Sequence, residues 1–139
     1  MKYLCLIYSN EQILHTHPDS PRDDECFAYA ESVQASGHML AAEPLESVQT
    51  ATTVRMRNGK VRITDGPFAE TKEQLAGFYL IDARDLNDAL HIAAHIPAAR
   101  VGSVEVRPVR TLNLQQSAQA ADSRTKRPQE NLYESRYKP

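Results

Sequence analysis

The sequence predicts an α+β domain with the ferredoxin-like βαββαβ order and one additional β-hairpin. Residues 2–8 and 77–81 are apolar at nearly every position, which is typical of strands covered on both faces. Residues 20–36 and 86–96 have apolar side chains at helical spacing. The dipeptide Asn58–Gly59 lies between two alternating segments, the pattern of a tight hairpin. The ferredoxin-like order follows once the hairpin is treated as an extension.

The first half of the chain is predicted as strand, loop, helix and strand. The strand at residues 2–8 is followed by a polar loop at 9–21. Ser20 is predicted as the helix N-cap, with Pro21 at the first helical position, and Gly37 ends the helix. Its expected apolar side chains are Phe27, Ala30 and Val33. Residues 38–43 then form the second strand, which Pro44 ends.

The hairpin combines residues 52–57 with 60–63. Its apolar side chains are predicted to face inward and its basic side chains outward: Val54, Met56, Val61 and Ile63 against Arg55, Arg57, Lys60 and Arg62. The basic set is either a phosphate-binding stripe or a solvated face that protects a strand edge. We favour the solvated face, because no aromatic residues alternate with the basic ones.

The second half supplies one more helix and two more strands. Residues 77–81 form a strand, Asp85 caps the helix at 86–96, and Pro97 ends that helix. The apolar stripe of the helix is predicted to contain Leu86, Ala89, Leu90, Ala93 and Ile96. Residues 103–107 alternate as the last strand.

Two strands that are apolar on both faces indicate a partner. Two helices can cover only one face of a four-stranded sheet, so the second face needs another cover. We therefore predict a homodimer in which two sheets pack together as an α+β barrel.

Composition limits the other possibilities. The 139 residues carry a net charge of −2, with −4 in a single predicted domain at 1–110 and +2 in a polar tail at 111–139. An acidic domain argues against nucleic-acid binding, and no apolar run approaches the roughly 20 residues of a membrane span. Without a signal sequence, the chain is expected in the cytoplasm, with Cys5 and Cys26 as reduced thiols. The tail is predicted to lie as an arm on the partner subunit.

One turn contains the most distinctive string of residues. Asp65, Gly66 and Pro67 are suited to a tight turn, since Asp can bond its own backbone and Gly accepts a positive φ. The string Thr64-Asp-Gly-Pro-Phe-Ala-Glu-Thr-Lys-Glu73, followed by the Gly-Phe-Tyr-Leu-Ile of residues 77–81, resembles the YCII-related, or DGPF, family of small bacterial proteins. Residues 96–108 share the resemblance. It implies a small dimeric α+β barrel with a cleft between sheet and helices, and for most members no assigned reaction.

The resemblance also bears on catalysis. Some members of the wider superfamily use a His–Asp pair whose His lies near the start of the first helix, where this sequence has Cys26 and Phe27. Asp65 matches the acidic position of the motif. It is either a cleft carboxylate that accepts a proton from a substrate, or the cap of its own turn. His38 is the tentative proton partner of Asp65.

The remaining candidates concern ligands and metals. Glu70, Thr71, Lys72, His15 and His17 are predicted to bind a small polar organic ligand. Asp88, His91 and His95 share one helix face and form a weak surface metal candidate, but there is no His-Glu-x-x-His pattern. No cofactor is predicted, since dinucleotide, P-loop and Cys-x-x-Cys motifs are absent from the sequence.

Two functions agree with these observations. The first is a small-molecule-binding enzyme that performs cofactor-free acid–base chemistry. The second is a non-catalytic ligand-sensing or regulatory dimer that docks a protein partner. They differ in whether a second titratable group lies within reach of Asp65.

Overall fold

The structure is a computed structural model that describes residues 1–114. Its elements are β1 (Lys2–Ser9), α1 (Glu11–Thr16), α2 (Asp23–Ala35), β2 (Met39–Pro44), β3 (Thr52–Arg57), β4 (Lys60–Asp65), β5 (Gln74–Asp82), α3 (Leu86–Ala94) and β6 (Gly102–Pro108), with 3-10 helices at Val48–Thr50 and Pro97–Arg100. The compact folded unit is Met1–Val109. Most of the predicted tail, with its proposed contact to a partner, lies outside the described residues.

Four strands form one antiparallel sheet in the order β2-β5-β1-β6. With α2 after β1 and α3 after β5, this is the ferredoxin-like arrangement, so the predicted fold class is confirmed. Strands β3 and β4 form a separate two-stranded sheet, here called the ribbon. Its turn has positive φ at Asn58 (52°) and Gly59 (73°), as a type I′ hairpin requires.

The helices cover one face of the sheet. Tyr3, Cys5 and Ile7 of β1 and Tyr79 and Ile81 of β5 are buried there against side chains of α2 and α3. The alternating positions form the opposite face, here called the outer sheet face: Leu4, Leu6, Tyr8, Phe78 and Leu80, all of them half-buried. The prediction that β1 and β5 are apolar on both faces is therefore confirmed.

One irregularity interrupts the pairing of β1 with β5. Ile7 pairs with Gly77, but Tyr8 pairs with Leu75, so Ala76 is an extra residue in β5. The carbonyl of Ala76 accepts a hydrogen bond from the Leu45 amide at 2.8 Å. The extra residue is thus a β-bulge whose acceptor is satisfied by the chain beyond β2.

The segment after β1 differs from the prediction. Residues 9–21 were expected as a loop, but Glu11–Thr16 is helical, with the Asn10 side chain accepting from the amides of Gln12 (3.0 Å) and Ile13 (3.3 Å). Six residues are too few to show a helical period. The predicted N-cap Ser20 is also wrong: its hydroxyl donates to the Ile13 carbonyl, and α2 begins later, at Asp23.

The helix faces are rotated from their predicted positions. Phe27 is exposed, and Tyr29 packs instead, donating its hydroxyl to the Ile92 carbonyl at 2.6 Å. In α3, Ala89, Ile92 and Ala93 are buried, whereas Leu86 and Leu90 are about half exposed. Leu86 and Leu90 lie at the edge of the buried stripe of α3, whose centre is formed by these three buried residues.

The ribbon departs most from the prediction, in the direction that its apolar side chains face. Its predicted alternation is confirmed, since Val54 pairs with Ile63 and Met56 with Val61, but these four side chains are 56–69% exposed rather than inward-facing.

Within residues 1–114, no helix is both long enough and apolar enough to cross a bilayer.

Candidate functional site

The turn after β4 is fastened to β3 by hydrogen bonds. Gly66, with a φ of 108°, donates its amide to the Ala51 carbonyl and accepts from the Thr53 hydroxyl, each at 2.8 Å. The Arg55 guanidinium donates to the Phe68 carbonyl at 3.2 Å. These bonds fix the start of the segment that leads from the ribbon to β5.

The end of that segment forms one wall of an open cleft of about 450 Å³. The cleft is lined by Tyr8, Thr71, Lys72, Glu73, Ser103, Val104 and Glu105. Tyr8 pairs with Ser103 in the sheet, so their side chains share the outer sheet face. The volume lies within the range of pockets that hold small organic ligands.

Internal bonds engage most of the polar groups in the cleft. The Ser103 hydroxyl donates to Glu73 Oε1 at 2.7 Å, and Arg107 forms an ion pair with Glu105. The Thr71 hydroxyl donates to the Glu73 carbonyl at 2.5 Å. Among residues 1–114, no such partner engages the Tyr8 hydroxyl or the Lys72 ammonium. A phenol and a cation therefore remain available to a ligand.

The two predicted acid–base residues lie on different elements. His38 precedes β2, and its Nδ1 is 2.7 Å from the Asp82 carbonyl oxygen at the end of β5. Asp65 is exposed at the end of β4 and pairs with Thr52. Within the described part of the chain, no side chain forms a hydrogen bond or ion pair with the Asp65 carboxylate. The structure therefore does not bring His38 and Asp65 into contact.

A different carboxylate interacts with His38. The backbone N–H and the guanidinium of Arg84 hold the pKa of Asp88 below its usual range, and the charge of His38 contributes to this shift. Asp88 Oδ2 is 3.0 Å from the Arg84 amide and 3.5 Å from its Nε. Asp88 is thus engaged by Arg84.

The metal candidate has the following geometry. The rings of His91 and His95 are 4.6 Å apart, and His95 Nδ1 is 2.7 Å from the His91 carbonyl oxygen. Nowhere in residues 1–114 do three or more His, Cys, Asp or Glu side chains gather in a group that could hold a metal ion.

The other predicted ligand-binding residues separate into two groups. Thr71 and Lys72 line the cleft, whereas Glu70 is exposed beside it and is not among the lining residues. His15 and His17 are exposed at the end of α1, and His17 Nδ1 accepts from the Asp19 amide at 3.0 Å.

Sequence reasoning missed the strand residues of the cleft, namely Tyr8, Ser103, Val104 and Glu105. Each was interpreted only as part of an alternating strand. The missing information was that β1 lies beside β6, which is a property of the topology rather than of either segment. Tyr8 did give one signal, because a phenol on an otherwise aliphatic strand face brings a hydroxyl to that face.

Comparisons with known proteins agree on the fold and family. An uncharacterised protein of Rhizobium meliloti is 38% identical over 116 residues, covering 78% of this chain and 92% of the relative. The solved structure of 5-chloro-2-hydroxyhydroquinone dehydrochlorinase from Burkholderia phenoliruptrix, in complex with 2,5-dihydroxybenzoquinone, has a TM-score of 0.50 and 14% identity, covering 82% of this chain and 98% of the other. The YCII-related domain model matches residues 1–113, and the chain belongs to this family.

Proposed function

We propose that this chain binds a small organic molecule with one anionic oxygen in the cleft between Tyr8 and Lys72. The supporting observation is a cleft of about 450 Å³ with a phenol and an ammonium that no described residue engages. The ring of Tyr8 offers apolar surface to the body of the ligand.

The charges of the cleft favour a single negative charge on the ligand. Lys72 attracts an anionic oxygen, and the Tyr8 hydroxyl can donate a hydrogen bond to it. Glu73 and Glu105 lie in the same cleft and repel further negative charge, although Arg107 compensates Glu105. A phenolate, enolate or monocarboxylate fits this balance better than a phosphate dianion does.

A thermal-shift experiment tests this proposal. Its probes are 2,5-dihydroxybenzoquinone, which is the molecule bound in the dehydrochlorinase structure, together with benzoate and neutral benzyl alcohol. An anionic probe should raise the unfolding temperature of the wild type and of Arg22→Met, but not of Lys72→Met or Tyr8→Phe. Arg22 is the matched control because it is an exposed cation before α2, outside the cleft and the ribbon.

Three results would contradict the proposal. Equal shifts for wild type and Lys72→Met would place the ligand elsewhere. A shift lost only in Asp65→Ala would place it at the motif turn instead. No shift with any of the probes would remove the support for a site that takes anionic aromatic molecules.

A ligand-sensing or regulatory role is favoured over acid–base catalysis by one observation. A catalytic Asp65 needs a second titratable group within hydrogen-bond reach, directly or through one water. No such partner bonds Asp65 within residues 1–114, and His38 bonds Asp82. We therefore propose that Asp65 shapes the turn. Turnover of a bound ligand that is lost in Asp65→Asn would overturn this assignment.

We also propose that the protein acts as a homodimer. The outer sheet face presents Leu4, Leu6, Phe78 and Leu80 side by side, since Leu4 pairs with Leu80 and Leu6 with Phe78. A two-fold axis over such a face would bring two identical apolar surfaces together. Because Tyr8 belongs to the same face, a second copy would also lie close to the cleft.

A further inference from the structure

The ribbon has two faces of opposite character. Its apolar face consists of Val54, Met56, Val61 and Ile63, and its basic face consists of Arg55, Arg57, Lys60 and Arg62. Every residue of β4 is exposed, and the four apolar side chains are 56–69% exposed. An isolated two-stranded hairpin is at best marginally stable in water. A surface that covers the apolar face would stabilise the ribbon.

The basic face is also uncompensated. Arg55 lies directly opposite Arg62, and Arg57 opposite Lys60, which places like charges side by side across the strands. Within residues 1–114, none of the four forms an ion pair; Arg55 and Arg57 donate only to backbone carbonyls. Negative charge from outside the ribbon would relieve this repulsion.

The charge of this chain itself identifies a suitable partner. The two strands of the ribbon contain four basic residues and one acidic residue, a net charge of +3. The rest of residues 1–110 contains 7 basic and 14 acidic residues, a net charge of −7. The positively charged ribbon of one copy is therefore attracted to the negatively charged remainder of residues 1–110 in another copy.

We propose that the apolar face of the ribbon docks onto the outer sheet face of a second copy of this chain. The receiving surface is the margin of that face, because its centre packs against the same surface of the partner in the proposed homodimer. On the edge strands β6 and β2, Glu105 pairs with Leu6 and Glu43 with Phe78; Arg107 already compensates Glu105, whereas Glu43 forms no ion pair within residues 1–114. Long Arg and Lys side chains can extend past the edge of a ribbon only about 5 Å wide to reach such carboxylates.

The areas fit a combined interface. The four apolar side chains of the ribbon offer on the order of 200 Å² to a partner. A specific interface buries about 800 Å² on each side. The ribbon alone is therefore too small. On each copy, three contacts together approach the required area: its own ribbon against the partner, the partner's ribbon against it, and the centre of its outer sheet face against the same surface of the partner. This inference rests on the proposed homodimer and adds the ribbon to its interface.

Sedimentation velocity of the full chain across roughly 1–100 µM tests the inference. The variant Ile63→Lys places a charge in the centre of the proposed contact and should raise the dimer dissociation constant by about 30-fold or more. Phe27→Lys is the matched control, because Phe27 is 65% exposed but lies on α2. Its dissociation constant should equal that of the wild type.

The outcomes separate the two proposals. A monomeric wild type at the highest concentration would overturn both the homodimer and the ribbon contact. The apolar face of the ribbon would then need a cover other than a second copy of this chain. A dimeric wild type with an unchanged Ile63→Lys dimer would overturn the ribbon contact alone. If Ile63→Lys loses its circular dichroism spectrum, Val61→Thr replaces it, and an unchanged dissociation constant for that variant would be equally decisive.

Discussion

Gly102 is the position at which a single methyl group should do most damage to the sheet. It pairs with Ser9 at the start of β6. A Cβ atom there would lie 2.2 Å from the Tyr8 carbonyl oxygen and 3.2 Å from Ser9 Cβ, whereas ordinary contacts begin at 3.4 Å. In Gly102→Ala, the start of β6 must therefore move away from β1 by about 1.2 Å.

That movement determines the size of the effect. A shift of about 1 Å stretches backbone hydrogen bonds beyond their working range, at a net cost of about 1 kcal/mol for each bond lost. Overpacking adds about 1–3 kcal/mol. We expect a total loss of about 2–4 kcal/mol in the free energy of unfolding, which corresponds to a decrease of roughly 10 °C or more in Tm.

Urea unfolding followed by far-ultraviolet circular dichroism measures this loss, since the chain contains no Trp for fluorescence. Gly77→Ala is the graded control: its Cβ would lie 2.9 Å from the Glu43 carbonyl oxygen, a smaller violation against edge strand β2. Its loss should be about 1 kcal/mol. If Gly102→Ala unfolds at the wild-type urea midpoint, the close approach of β6 to β1 is refuted.

Three other predictions concern single side chains. Ser9 is fully buried and its hydroxyl has no hydrogen-bond partner among the described residues, so Ser9→Ala should raise the unfolding free energy by about 1 kcal/mol in the same urea assay. Arg100 donates two hydrogen bonds to Glu25 and holds its pKa below the usual range; this pairing therefore stabilises the fold above about pH 4.5 and is lost as the pH falls through the folded-state pKa. Accordingly, the Tm of Glu25→Gln should be lower than that of wild type at pH 7 and should converge with it in acid. Burial raises the pKa of Cys5 to about 11, so this thiol should react with a disulfide reagent at pH 8 only as fast as the protein unfolds.

Each of these has a result that would contradict it. A destabilised Ser9→Ala would mean that its hydroxyl is bonded by a group outside residues 1–114. A Tm difference for Glu25→Gln that stays constant from pH 7 to pH 3 would remove the pairing as its cause. Reaction of Cys5 at the rate of a free thiol would show that β1 is accessible in the folded protein.

Local chemistry made most of the fold predictable from the sequence. Asn58 and Gly59 tolerate positive φ, and Asp85 accepts a hydrogen bond from the Asp88 amide at 2.8 Å, so the hairpin turn and the start of α3 were correctly predicted. Helix α1 was missed because its cap, Asn10, precedes only six helical residues. Segments this short leave no periodic pattern to detect.

The cleft was less predictable because it depends on strands that are distant in sequence. Lys72 and Tyr8 are 64 positions apart and meet only because β1 lies between β5 and β6. The exposure of Val54 had a similar cause. Alternation correctly places Val54 on one face of the ribbon, but no local pattern states whether that face meets the core of its own chain.

The extra residue at Ala76 has a consequence for sequence variation in this region. Removing it would restore a regular ladder and would leave Leu75 opposite Tyr8 and Gln74 opposite Ser9, so both side chains would keep their faces. A homologue one residue shorter here would thus keep the apolar floor but would lose the carbonyl that accepts from the Leu45 amide. Length at this one position, rather than composition, is expected to separate members in which the chain after β2 is bonded to β5 from those in which it is not.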